Sequence, residues 1–125
     1  MATRSINVMV TPVGVTGKDV DCDFGGAAEV VGNALFLDKS DNYNITFQLV
    51  PAHGVNAFAA QKPFCNQPKR CPKPVGGNAV APFNLTSNTG NTITLHVDPI
   101  PNKEVSYFRL NFNNALTSDP IIIHD

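Results

Sequence analysis

The chain has 125 residues, of which 42% are hydrophobic and 15% charged, and its formal net charge is −1. That length fits one domain burying roughly two-thirds of its unfolded surface, and the low charge fraction excludes an intrinsically disordered chain. With no basic excess to neutralise a phosphate backbone, no nucleic-acid partner is expected.

In chain order the predicted elements are short strands. Ile6, Val8 and Val10 mark the first, over residues 6–10, ended by Thr11 and Pro12 and followed by a turn with two glycines over 13–17. Val20, Cys22 and Phe24 alternate with Asp19, Asp21 and Asp23 until Gly25 and Gly26 stop the second strand. Successive strand side chains point to opposite faces, so such a stretch buries one face and wets the other. Residues 30–37 are apolar without a clear phase, which predicts a strand buried on both faces. The turn cluster 38–42 links it to 43–50 as a hairpin. In that second arm Ile45, Phe47 and Leu49 alternate with Asn44, Thr46 and Gln48, and Pro51 ends it.

Residues 56–60 read as a short strand or edge segment. Residues 61–78 contain Pro63, Pro68, Pro72 and Pro74 and the pair Gly76-Gly77; prolines cannot donate ladder hydrogen bonds, so this is a long loop or irregular crossing. Loops of that length inside a compact domain tend to be functional. A short strand over 80–85 contains Pro82, and 87–91 turns the chain into residues 92–97. There Ile93, Leu95 and Val97 alternate with Thr92, Thr94 and His96. After a turn at 98–102, residues 104–113 carry Val105 and Tyr107 on one phase and Phe108, Leu110 and Phe112 on the other. That switch predicts a β-bulge or a strand buried on both faces. A turn at 115–119 leads to Ile121-Ile122-Ile123, expected as a central last strand.

This pattern predicts an all-β fold: an immunoglobulin-like antiparallel β-sandwich of seven to nine short strands, one domain over residues 1–125. By analogy with such sandwiches, the first strand is expected beside the last. No apolar run approaches the roughly 20 residues that span a bilayer. Residues 1–5 run into the first strand without a signal-peptide pattern. Three cysteines, Cys22, Cys65 and Cys71, are an odd count that fits a reducing compartment. A cytoplasmic location without a membrane partner is therefore expected.

The C-terminal third adds a resemblance. An alternating strand is followed by Tyr107-Phe108-Arg109-Leu110-Asn111-Phe112, a short turn, and a closing Asp119-Pro120-Ile121-Ile122-Ile123. This resembles the DP-EP family of small bacterial β-sandwich proteins. The resemblance covers about a quarter of the chain, which has Asp98-Pro99 and Asp119-Pro120 but no Glu-Pro pair. It implies a fold and a bacterial origin, and supplies no catalytic residue.

Three constellations carry candidate chemistry. Asp19, Asp21 and Asp23 share one strand face about 7 Å apart, as a Ca²⁺ site or as a solvated edge. The loop Cys65-Asn66-Gln67-Pro68-Lys69-Arg70-Cys71 offers a disulfide between Cys65 and Cys71, or two zinc ligands lacking a full set. The same loop brings Lys62, Lys69, Arg70 and Lys73 together with Phe64 as an interaction surface. Third, His96 and Asp98 lie on one side of their strand as a pair able to orient a base, but no serine in a Gly-flanked nucleophile turn accompanies them. The expectation is a non-catalytic binding or structural module acting through loops or sheet edges, with self-association or a protein partner and no cofactor. The alternative is a metal-dependent (Ca²⁺ or Zn²⁺) ligand-binding domain.

Overall fold

A computed structural model describes residues 3–68, 78–100, 105–118 and 121–124. Its strands are β1 (Thr3–Thr16), β2 (Asp19–Gly25), β3 (Val30–Val31), β4 (Ala34–Phe36), β5 (Asn42–Leu49) and β6 (Phe64–Pro68). They continue with β7 (Phe83–Asn88), β8 (Thr92–Val97), β9 (Val105–Leu110), β10 (Thr117–Ser118) and β11 (Ile121–His124). The fold is an all-β sandwich of two sheets, ordered β10-β2-β1-β5-β8-β7 and β3-β4-β11-β9-β6. Among the described residues no helix is long and apolar enough to cross a membrane.

Register turns the alternation into rows. Val8 pairs with Phe47 and Phe47 with Ile93; Ile6 pairs with Ile45 and Ile45 with Leu95. Paired residues point to the same face, so these rows are apolar and face inward, while rows such as Asn7, Thr46 and Thr94 face outward. Val8, Phe47, Ile93 and Leu95 are all fully buried. The facing sheet contributes Phe64, Phe108 and Leu110, equally buried. Ring centroids lie 5.7 Å apart for Phe47 and Phe108, 6.2 Å for Phe47 and Phe64, and 5.3 Å for Phe64 and Phe108. Each such contact contributes about 0.5–1.5 kcal/mol beyond the area it buries.

Several details differ from the sequence expectation. The sandwich is mixed rather than purely antiparallel, because β1 with β5, β2 with β10 and β4 with β11 run parallel. Parallel neighbours need a crossover, and the chain between β1 and β5 supplies one by crossing to the other sheet through β3 and β4. The first strand does not lie beside the last: β1 sits between β2 and β5, while β11 sits between β4 and β9 in the other sheet. Nor does β1 stop at Thr11. It pairs with β5 only as far as Val10, then continues against β2 through Thr16 with a register shift between Pro12 and Gly14. Pro12 lies past the last β5 pair, where its missing N–H leaves no ladder bond unmade.

Residues 30–37 form a tight hairpin instead of one doubly buried strand. Gly32, with φ 59°, makes its turn, a conformation that costs glycine nothing. Leu35 is buried, whereas Val31 and Phe36 are 63% and 51% exposed. The 38–42 turn then carries the chain between sheets, so β4 and β5 are not hairpin partners. The Ser40 hydroxyl and N–H donate to Asp38 Oδ1 at 2.7 and 3.0 Å and hold that carboxyl below its ordinary value. The buried Tyr43 hydroxyl accepts from Asp38 N at 2.7 Å. The phase switch expected near Tyr107 is absent: Ser106, Phe108 and Leu110 face in, while Val105 and Tyr107 are half-buried on the other face.

Phe47→Ala is expected to cost about 3–5 kcal/mol in urea denaturation, because it opens a cavity between the sheets. Its exposed neighbour Gln48 changed to Ala is expected to stay within about 0.5 kcal/mol.

Candidate functional site

Among the described residues, the candidates singled out in the sequence do not gather into one site. Asp19, Asp21 and Asp23 all lie exposed along β2. The strand repeat spreads their carboxylates about 7 Å apart, too far for one ion with ligands at about 2.3–2.6 Å. Among the described residues no three His, Cys, Asp or Glu side chains gather to hold a metal ion. The acidic row is therefore corrected from a metal site to a solvated strand face.

The supposed loop at 61–78 begins as strand β6, whose Phe64, Cys65 and Asn66 pair with Leu110, Arg109 and Phe108 of β9. Phe64 is 1% exposed and packs on Phe47, Phe83 and Phe108. It belongs to the core and offers no ring to a partner, which corrects its place in the interaction surface. Cys65 is equally buried, with Sγ 4.0 Å from Arg109 O. Burial pushes its thiol up, so it stays protonated to higher pH than in the unfolded chain. Lys69, Arg70, Cys71 and Lys73 lie outside the described residues.

The expected His96–Asp98 pair forms, with Nε2 3.2 Å from Asp98 Oδ1. Nδ1 lies 2.9 Å from Asn44 Oδ1. Both ring nitrogens thus have partners within the fold.

Among the described residues a cleft lies elsewhere, at the end of the sandwich where β5 and β9 stop. It has a volume of about 420 Å³ and is walled by residues 59–62 and 111–116. That is within the usual range for small-ligand sites. The core reaches out to form its base: Phe112 stacks on Phe58 at 5.6 Å, and both are buried. Backbone bonds then sew the two walls together. Ala59 N donates to Asn111 O at 2.9 Å, Asn111 N to Pro63 O at 2.8 Å, and Asn113 N to Ala57 O at 2.9 Å. Asn113 Oδ1 accepts from Asn56 N and Ala57 N at 2.9 and 3.2 Å, and its Nδ2 donates to Gly54 O at 3.3 Å.

The far wall is a left-handed turn. Leu116 N donates to Asn113 O at 3.2 Å across Asn114 and Ala115, whose φ angles are 59° and 58°. Turns of this hand ask for Asn then Gly. Asn114 obeys the rule; Ala115 carries a methyl where glycine belongs. On the opposite wall Lys62 is left-handed too, with φ 53°. Non-glycine residues held there cost about 1–2 kcal/mol each, and such strain collects at functional sites. Asn111 lies beneath, 7% exposed. Its Nδ2 donates to Lys62 O at 2.8 Å, while its buried Oδ1 has no donor among the described residues.

Of the cleft residues, only Lys62 figured among the sequence candidates. The signal that was present is the Asn113-Asn114 pair, since Asn tolerates left-handed backbone; the strain at Lys62 and Ala115 has no signature in residue type.

No protein-family model and no curated protein matches this chain. Among solved structures it is similar to the crystal structure of an inclusion body protein (PixA) from Burkholderia cenocepacia J2315, with 13% identity and a TM-score of 0.35. That likeness covers 99% of this chain and 94% of the other.

Ala115→Gly is expected to raise stability by about 1 kcal/mol in urea denaturation, by relieving the left-handed strain. A loss of stability would show that Ala115 is unstrained.

Proposed function

We propose that the protein is a non-catalytic binding module that takes a small ligand in the cleft between residues 59–62 and 111–116. The observation that carries this reading is strain on both walls of one cleft: Lys62 and Ala115 line it and hold left-handed backbone without being glycine. A fold keeps such strain where a side chain is needed at that spot. The chemistry of the lining supports binding over catalysis. Ala, Gln, Lys, Asn, Phe and Leu form it, and among these described residues there is no hydroxyl, thiol, imidazole or carboxylate side chain to act as nucleophile or acid–base pair.

A cytoplasmic, immunoglobulin-like module of bacterial origin fits this reading, supported by the odd cysteine count and by the resemblance to the DP-EP family. Self-association through a sheet edge belongs to it as well. β7 is a six-residue edge strand without a charged side chain to oppose pairing.

The test is a thermal-shift screen of a metabolite panel against the wild type and Ala60→Trp, which plugs the cleft. Compounds that raise the wild-type melting temperature are expected to lose that effect in the plugged variant. Retained shifts in the variant, or conversion of the bound compound to product, would contradict the proposal.

A further inference from the structure

We draw no further inference here: the strongest candidate, the buried Asn111 Oδ1 beneath the wall of the cleft, belongs to the site already described and is shut off from solvent, so nothing in the structure shows what chemistry would reach it.

Discussion

Everything in this molecule depends on the contact of Phe47 in one sheet with Phe64 and Phe108 in the other. Each ring arrives by the same rule: it occupies an inward position of a strand whose neighbours along the chain point outward. The rule is satisfied most plainly in β1, β5 and β8 of one sheet and β9 of the other, so the two inner faces are apolar together. With Thr46 facing outward beside Thr94, at 3.3 Å between hydroxyls, a slip of one residue would exchange Phe47 for Thr in the core. Register, sheet packing and burial are therefore one constraint seen three ways.

The cleft is a consequence of where that packing ends. β5 stops at Leu49 and β9 at Leu110, but the aromatic stack continues beyond them in Phe58 and Phe112. These two rings fasten irregular chain to a rigid core. Asn113 then does with its side chain what a strand does with its backbone, accepting two N–H groups and donating to a carbonyl. Walls held this firmly can keep a left-handed alanine and lysine in place, which a loose loop would relax. A pre-formed site on a rigid scaffold is what a binding module needs to avoid the entropic cost of ordering a loop around its ligand.

The sequence showed some of this plainly. Strands β2, β5 and β8 and the inward faces of Val20, Phe47 and Leu95 follow from period-two alternation, and all three residues are fully buried. The N–H-less Pro12 misled, because its cost depends on whether a neighbouring strand is present, and that is a property of topology. Residues 30–37 misled because a hairpin of five strand residues leaves too few positions for a period to appear. Phe64 was hidden among prolines, although edge strands are where proline is tolerated and β6 is an edge. The cleft was illegible for a deeper reason. Its strain lies in φ angles, which are not written in residue type.

The account is tested most directly by nuclear Overhauser contacts between aromatic rings. It predicts strong contacts from the Phe47 ring to those of Phe64 and Phe108, residues 17 and 61 positions away in the chain, with Thr46 and Thr94 methyls showing none to either ring. Thr46 in contact with Phe108, or a Phe47 ring seeing only its own strand and solvent, would contradict it.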